Sequence, residues 1–155
     1  MKIGLGYDVH AFAKDRLLIV GGVEIPYDRG LAGHSDADVL THAVCDALLG
    51  AAGMGDIGEH FPDTDPRYKD ASSLDLLEET WRRIHPHYQT IINMDATIFA
   101  QAPKLSPYKA AMRAQLAAVL NIPADRINIK ATTTERLGFI GRGEGIAAMC
   151  VALID

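Results

Sequence analysis

The sequence predicts an α/β sandwich, an α+β arrangement in which a single mixed β-sheet has helices packed on one of its faces. Two observations predict this class. Several short stretches have the apolar alternation or β-branched content of strands, and stretches of helical length and spacing lie between them. The 155 residues contain no internal repeat and no linker. Residues 1–155 are therefore expected to form one catalytic domain.

The composition is that of a soluble globular protein, with 48% hydrophobic and 23% charged residues. The net charge of −5 argues against partners that are nucleic acids or anionic membranes. No signal peptide precedes the first strand and no apolar run has membrane-spanning length, so we expect a cytoplasmic protein. Cys45 and Cys150 are predicted to be buried reduced thiols, with a single disulfide as the alternative.

The first strand is predicted at residues 3–10, where apolar side chains alternate with Gly4, Gly6, Asp8 and His10. We expect the apolar side to pack inward and the glycine side to stay bare. Asp8 and His10 lie two residues apart, on one side of the strand and about 6.6 Å from each other along the backbone. A carboxylate and an imidazole in that relation can converge on one ion.

A hairpin follows, because the apolar runs 17–20 and 23–26 flank the permissive turn Gly21-Gly22. The next element is a helix that begins near Ser35 and ends at about Ala52, before Gly53. Ser35 and Asp38 are spaced as an approximate capping box at its start.

The start of this helix carries the first chemical hypothesis. His34 and Ser35 would lie at a helix N-terminus, which favours an anion. His42 lies one turn after Asp38 on the same side of the helix and is a candidate metal ligand. Cys45, three residues further on, is a competing ligand that the pattern alone leaves open.

The remaining elements follow from apolar spacing and from the positions of proline and glycine. The polar stretch 55–73 is predicted to be a flap. The others are a helix from Ser72 or Ser73 that ends before Pro86, a strand at 90–99, a helix at 106–120, a strand at 127–131 and a central buried strand at 146–154.

Asp8, His10 and His42 form a candidate metal site with an open fourth position, the pattern of a catalytic zinc site. A second group lies at two strand ends, where Lys104, Glu135 and a run of threonines suit an anion and an oxygen-bound cation such as Mg²⁺. Taken one at a time, these stretches have the alternative of a solvated loop, and the threonines that of an ordinary edge strand. Arg142 is either another phosphate contact or a surface charge. Two anion sites and two cation sites together suggest a diphosphate substrate.

Seven segments taken together resemble the 2-C-methyl-D-erythritol 2,4-cyclodiphosphate synthase family, over essentially the whole chain. They are Gly6–His10, Gly33–Asp38, Gly55–Gly58, Phe61–Asp65, Ala100–Lys104 and Lys130–Glu135 with Gly141–Gly145. Ala37, where glycine is expected about as readily, and Arg136 and Ile140 are small departures that touch no expected ligand.

The resemblance implies conversion of 4-diphosphocytidyl-2-C-methyl-D-erythritol 2-phosphate to the cyclic diphosphate with release of CMP, in the non-mevalonate isoprenoid pathway. It also implies a homotrimer with active sites between subunits, one zinc per subunit, and magnesium or manganese with the substrate diphosphate. An isoprenoid diphosphate at the trimer axis is a further ligand that the resemblance suggests.

The resemblance also assigns roles by motif position. Asp8, His10 and His42 correspond to the zinc ligands, against Cys45, and Glu135 corresponds to the magnesium partner. His34 and Thr133 correspond to the groups that stabilise the transition state. The expected substrate contacts are Asp8, His10, His34, Ser35, Asp56, Ile57, Gly58, Phe61, Pro62, Asp63, Thr64, Asp65, Ala100, Gln101, Ala102, Pro103, Lys104, Leu105, Ser106, Thr132, Thr133, Thr134, Glu135, Phe139 and Arg142.

Two other functions compete with this one. A zinc hydrolase acting on a nucleoside diphosphate or phosphoester would need an acidic base beside the metal, and Asp36 or Asp38 is the candidate. A non-catalytic trimer would instead bind isoprenoid diphosphates near Phe139 and Arg142. In the synthase the substrate's own phosphate is the nucleophile, so no strong general base is needed. Asp36 and Asp38 are then expected to be helix-start charges and partners of the ligands.

Overall fold

The structure is a computed structural model that describes all residues from 1 to 155. Its strands are β1 (Lys2–Ala13), β2 (Leu18–Val20), β3 (Val23–Ile25), β4 (Gly30–Leu31), β5 (Ile91–Phe99), β6 (Ile127–Thr132) and β7 (Gly145–Ile154). Its α-helices are α1 (Val39–Ala52), α2 (Ile57–His60), α3 (Ser73–Ile84), α4 (Lys109–Leu120) and α5 (Gly138–Gly141).

The main sheet has five strands in the order β4-β1-β7-β5-β6, and the pair β5–β6 is parallel while the other pairs are antiparallel. Helix α1 packs across β1 and β7, with α3 beside it and α4 against β6. The buried core lies between these helices and the sheet. The predicted mixed sheet with helices on one face is thus confirmed.

The prediction for the two sides of β1 was wrong. The glycine side faces α1: a Cβ atom on Gly6 would lie 2.0 Å from the carbonyl oxygen of Ala43, and one on Gly4 equally close to that of Ala47. The apolar side, from Ile3 (70% exposed) to Val9 (42% exposed), lies on the open face of the sheet. The helix approaches the strand so closely that only glycine fits between them.

Strand β7 is central, as predicted, but it is buried on one face only. Met149 and Val151 are both 37% exposed on the open face, where they pair with Tyr7 and Leu5 of β1. A continuous apolar run indicated burial on both faces, whereas this antiparallel strand leaves its outward residues uncovered within one chain.

Helix α1 begins later than the predicted capping box. Asp38 is the N-cap residue, and its carboxylate accepts from the backbone N–H of Thr41. Ser35 instead accepts from the N–H of Ala37, in the turn before the helix. Ala37 has φ of 58°, a conformation that favours glycine and explains why glycine was expected there. His34 and Ser35 therefore do not lie at the helix N-terminus.

The other predicted elements are present with small shifts. The hairpin turns at Gly21-Gly22, and α1 ends at Gly53, whose φ is 70°. The helix predicted from residue 106 begins as a 3₁₀ turn, Ser106–Tyr108, before α4. The predicted flap contains α2 and a 3₁₀ turn, Pro66–Tyr68, and both short helices were missed.

Both cysteines are free and buried, as predicted, which excludes the disulfide alternative in this structure. Burial raises the pKa of the Cys150 thiol to about 12. No helix has the length and apolar character that crossing a membrane requires.

Candidate metal and substrate site

Three predicted ligands converge on one point at the start of α1. The Asp8 Oδ2 atom lies 2.9 Å from His10 Nε2 and 3.0 Å from His42 Nδ1, and the two imidazole nitrogens are 3.1 Å apart. Their side chains are 13–25% exposed. We call this cluster of Asp8, His10 and His42 the metal corner. It is the one group of three or more such side chains in the chain with ligand atoms close enough to share an ion.

The ring of His10 is oriented by the backbone. Its Nδ1 lies 2.6 Å from the carbonyl oxygen of Ala32, which can only accept a hydrogen bond. The Nδ1 hydrogen is therefore donated to that carbonyl, and Nε2 is the nitrogen turned toward Asp8 and His42, where it can take a proton or a metal ion. A ring held in this way by its other nitrogen is typical of a metal-binding histidine.

The local field also favours a cation. Burial would raise the pKa of Asp8, but hydrogen bonds and charge from His10 and His42 outweigh it and hold that pKa well below its usual range. Burial lowers the pKa of His10, but Asp8 and the Ala32 carbonyl more than offset this and raise it. A carboxylate that favours a protonated imidazole also favours a bound metal ion. The residues present therefore fit a divalent ion.

The acidic residues at the start of α1 are occupied elsewhere. Asp38 is fully buried and accepts from the backbone N–H groups of Gly21, Gly22 and Thr41. It thus fastens the hairpin turn to the helix that carries His42. The carboxylate of Asp36 accepts from the backbone N–H and the hydroxyl of Ser73. Neither Asp36 nor Asp38 is therefore placed as the base that a hydrolase would need beside the metal.

Cys45, the competing ligand, lies in the apolar core and is fully buried. Desolvation raises the pKa of its thiol far above the usual range, so it stays protonated. The choice of His42 over Cys45 agrees with this placement.

A cavity of about 320 Å³ opens beside the metal corner. It is lined by His10, Gly33, His34, Ser35, His42, Ile57, Gly58, Phe61, Asp63, Tyr68 and Leu76. Tyr68 and Leu76 were missed by the sequence reasoning, because nothing in their spacing marks them. Of the other predicted flap contacts, Pro62 and Thr64 are exposed outside this lining, and Asp65 forms an ion pair with Arg67.

The start of α2 is hydrogen-bonded to α1, the helix that carries His42. The Asp46 carboxylate, one turn after His42, accepts from the N–H of Ile57 at 2.8 Å. Asp56 caps α2 through the N–H of Glu59. Burial, the largest influence, raises the pKa of Asp46, and the charges of Asp56 and Asp8 act in the same direction. Asp46 was not predicted, since an aspartate inside a helix ordinarily indicates a solvated side.

The second predicted group forms another cavity, of about 200 Å³, at the ends of β5 and β6. Its lining is Ala100, Gln101, Pro103, Lys104, Leu105, Ser106, Ala131, Thr132 and Thr133. Beside it, the Thr133 hydroxyl donates to Glu135 Oε1 at 3.0 Å, and Gln101 accepts from the N–H of Arg136. We call Gln101, Lys104, Thr132, Thr133 and Glu135 the loop corner. Ala102 and Thr134 do not line this cavity.

The metal corner and the loop corner lie at the same end of the strands, but in one chain they line separate cavities. Val9 of β1 and Phe99 of β5 both pair with Ala147 of β7. Strand β6 is three places from β1, which corresponds to about 14 Å. His34 and Thr133 accordingly line different cavities. Phe139 and Arg142 line neither, and Arg142 forms an ion pair with Glu144.

Comparisons with known proteins agree with this geometry. A profile of the YgbB family matches residues 1–155. The chain is 58% identical over 155 residues, all of both chains, to a protein of Desulfatibacillum aliphaticivorans. It is 61% identical over 154 residues to one of Desulfosudis oleivorans, covering 99% of this chain and 92% of the relative. Each is named 2-C-methyl-D-erythritol 2,4-cyclodiphosphate synthase.

A solved structure is similar over its whole length. It is described as 2C-methyl-D-erythritol-2,4-cyclodiphosphate synthase in a CDP-bound form. The TM-score is 0.90 at 36% sequence identity, with 99% of each chain covered.

Proposed function

This chain belongs to the YgbB family, and from that membership we propose how its own residues carry out the family's reaction. The protein is a cyclodiphosphate synthase, a lyase of isoprenoid biosynthesis. It converts 4-diphosphocytidyl-2-C-methyl-D-erythritol 2-phosphate to 2-C-methyl-D-erythritol 2,4-cyclodiphosphate and releases CMP. The observation that carries the assignment of the site is the convergence of Asp8, His10 and His42 beside a cavity. Residues 1–155 act as one catalytic domain, which the continuous core supports.

The metal corner holds a zinc ion, one per subunit. Two imidazoles and one carboxylate are the donor set that zinc takes in catalytic sites, and they leave a coordination position for substrate. When bound, a divalent ion there polarises a phosphoryl oxygen of the substrate and offsets negative charge. Glu135 is the partner of a second ion, magnesium or manganese, that accompanies the substrate diphosphate. Its exposed carboxylate beside Thr133 supports this assignment.

The chain's own residues have two tasks in this reaction, orientation and charge stabilisation. An oxygen of the 2-phosphate attacks the β-phosphorus while the bond from that phosphorus to the bridging oxygen breaks, and CMP departs with that oxygen. The substrate must fold back for in-line attack, an entropic cost that a well-formed cavity relieves. His34 and Thr133 stabilise charge in the transition state, and no side chain need act as a base because the attacking phosphate is already anionic.

The substrate contacts divide between the two corners. The methylerythritol part lies along Asp56–Gly58 and the flap residues Phe61–Asp65, close to the metal corner. The cytidine diphosphate part lies along Ala100–Ser106 and Thr132–Glu135, with Lys104 on a phosphate. The lining of the two cavities supports this division.

The active enzyme is a homotrimer with its sites between subunits. The open face of the sheet exposes Ile3, Leu5, Tyr7, Val9, Met149 and Val151, an apolar surface of the kind that another subunit covers. In one chain the strands β1 and β6, which lead to the two corners, stand about 14 Å apart, and the corners line separate cavities. A neighbouring subunit would therefore bring a loop corner to each metal corner. Phe139 and Arg142 lie near the trimer axis, where an isoprenoid diphosphate binds.

The enzyme acts in the cytoplasm on a small molecule and needs neither nucleic acid nor membrane. Two free buried thiols and the net charge of −5 support this.

One assay tests the function against its two rivals. The protein is incubated with the cytidylyl substrate in ¹⁸O-labelled water, and CMP and the phosphate products are followed together. Equimolar CMP and an unlabelled cyclic product are expected. A linear product that carries ¹⁸O would establish a hydrolase instead, and absence of turnover with tight binding of isoprenoid diphosphate would establish a binder.

The shared site is tested by mixing two defective variants, His42→Ala and Lys104→Ala, unfolding and reassembling them together. Native mass spectrometry first establishes whether the assembly is a trimer. If each site takes its metal corner and loop corner from different subunits, about a quarter of the sites in a random mixture are intact, and activity at low substrate returns. If both corners come from one subunit, the mixture stays as inactive as its components.

A further inference from the structure

The edge of His42 that faces away from the metal corner is fastened to a second pair of side chains. Nδ1 faces Asp8 and His10, while Nε2 lies 2.9 Å from the hydroxyl oxygen of Ser73 and 3.2 Å from that of Ser35. Ser73 is the first residue of α3 and is fully buried. Neither Ser73 nor Asp36 behind it belongs to the set of ligands and substrate contacts assigned above.

The proton positions in this group follow from the donors and acceptors present. The Asp36 carboxylate only accepts, and it lies within hydrogen-bond reach of both the hydroxyl and the backbone N–H of Ser73. The single hydroxyl proton of Ser73 therefore goes to Asp36. The lone pair of that hydroxyl is left to face Nε2 of His42, and this contact is satisfied when Nε2 carries a hydrogen. On the other side of the ring, Nδ1 faces the Asp8 carboxylate at 3.0 Å, a contact that either a proton or a metal ion can complete. Ser73 and Asp8 therefore compete for the single hydrogen of a neutral ring.

We propose that Ser73, held by Asp36, is a positioning residue that fixes the tautomer of His42 so that Nδ1 is free to bind a metal ion. This inference rests on the proposed metal role of His42. His10 obtains the same result from the carbonyl of Ala32, which needs no side chain. At His42 the acceptor is instead the hydroxyl oxygen of Ser73, whose own proton is donated to the Asp36 carboxylate.

The same residues fasten the end of the flap to the metal corner. The N–H of Asp36 donates to the carbonyl of Ala71, and the N–H of Asp70 donates to that of His34. Ser73 follows directly after this paired segment. The Ser73 hydroxyl therefore links His42 to the turn that carries His34 and Asp36, and this turn is paired with the end of the flap.

The tautomer is read directly by ¹⁵N NMR of the histidine rings in the metal-free full-length protein, at a pH where the imidazoles are neutral. We expect the signal of His42 to be that of an Nε2–H ring in the wild type, and Ser73→Ala to shift the ring toward a mixture of tautomers. Ser72→Ala is the matched control, because Ser72 is the adjacent serine and makes no capping hydrogen bond. An Nδ1–H ring at His42 in the wild type would overturn the proposal.

Zinc affinity gives the second readout, measured by competition with a chromophoric chelator. Loss of such a hydrogen-bond partner of a ligand typically weakens metal binding by about 10–100-fold. We expect that loss for Ser73→Ala, a smaller one for Asp36→Asn, whose amide oxygen still accepts, and no change for Ser72→Ala. Equal affinity of Ser73→Ala and wild type, with both folded, would contradict the proposal.

The two measurements separate this inference from the proposed function. A wild-type protein that binds no zinc would refute the metal role while the NMR signal still reports the tautomer. If Ser73→Ala does not fold, the ring signal of the wild type alone decides.

Discussion

The metal corner and the loop corner differ in how much of their geometry is present without a ligand. Asp8, His10 and His42 come from the regular elements β1 and α1, and each ring nitrogen already has a partner. The loop corner comes from the end of β6 and from the segments after β5 and β6, where Lys104, Thr132, Thr133 and Glu135 are exposed. The ligands of a small ion must already be in place for the site to select that ion. A long flexible substrate, in contrast, can order exposed side chains as it binds.

The largest expected effect is that of His42→Ala at the metal corner. Removing one of three ligands should abolish stoichiometric zinc and reduce turnover by roughly a thousandfold or more, the equivalent of several kcal/mol of electrostatic stabilisation. Metal analysis and the CMP assay measure this, with the exposed His87→Ala as control. A folded His42→Ala protein that keeps one zinc per chain would show that the ligand set is wrong.

A smaller effect is expected when the close approach of β1 and α1 is disturbed. Gly6→Ala places a methyl group 2.0 Å from the backbone oxygen of Ala43, so the helix must move. We expect a loss of about 3 kcal/mol in unfolding free energy, and weaker zinc binding because His42 moves with the helix. Urea unfolding and chelator competition measure the two losses.

The matched control is Gly50→Ala in the same helix, because the nearest atom to the added methyl group would lie 3.8 Å away. Gly53→Ala is not suitable, because φ is positive there. Unchanged stability of Gly6→Ala would contradict this packing.

At the loop corner, Lys104→Ala should weaken binding of CDP by about tenfold, because one charged hydrogen bond to a phosphate is worth roughly 1.5 kcal/mol. Zinc content should not change, since Lys104 lines the other cavity. Calorimetric titration with CDP tests this, and Lys2→Ala, an exposed lysine at the opposite end of β1, serves as control. Equal CDP affinity in the variant and the wild type would remove Lys104 from the proposed site.

The smallest effect concerns the ion pair that joins the two strands of the loop corner. The Lys130 ammonium donates to Asp95 at 2.6 Å, which lowers the pKa of that carboxyl against an opposing effect of burial. Asp95 therefore contributes stability above its unfolded pKa of about 3.9, and loses it as pH falls through the lower folded value. Asp95→Asn should cost less than about 1 kcal/mol at pH 7, because such exposed pairs are weak. Thermal unfolding should show the difference from wild type shrinking as the buffer is made more acidic than pH 4, and a constant difference would rule out this origin.

The sequence predicted the elements because its local signals are strong and agree with one another. Gly21-Gly22 between two apolar runs predicted the hairpin, and Gly53 predicted the end of α1. The start of α1 was placed too early, because Ser35 and Asp38 have capping-box spacing but Asp38 itself caps the helix. Two polar residues near a helix start compete for the same N–H groups, and the hairpin turn that also binds Asp38 settles the competition.

The metal corner could be predicted in composition but not in its supporting contacts. Asp8 and His10 share a side of a strand, and His42 follows a helix start, so the ligand types were visible in the pattern. Ser73 and Asp46 were not, because their partners lie 31 and 11 positions away along the chain. Contacts of this kind exist only once the helices have packed.

By itself the sequence determined which residues share a side of each element, since alternation and helical spacing are local properties of the backbone. It therefore placed Asp8 with His10 and the glycines with one another. Only the tertiary structure decided which side is covered. In β1 the glycine side meets α1 and the apolar side is left open, the reverse of what hydrophobicity predicted. The reason is physical. A helix whose backbone approaches a strand this closely leaves no room for a methyl group and requires glycine there, so the apolar side of the strand faces away from the core of its own chain.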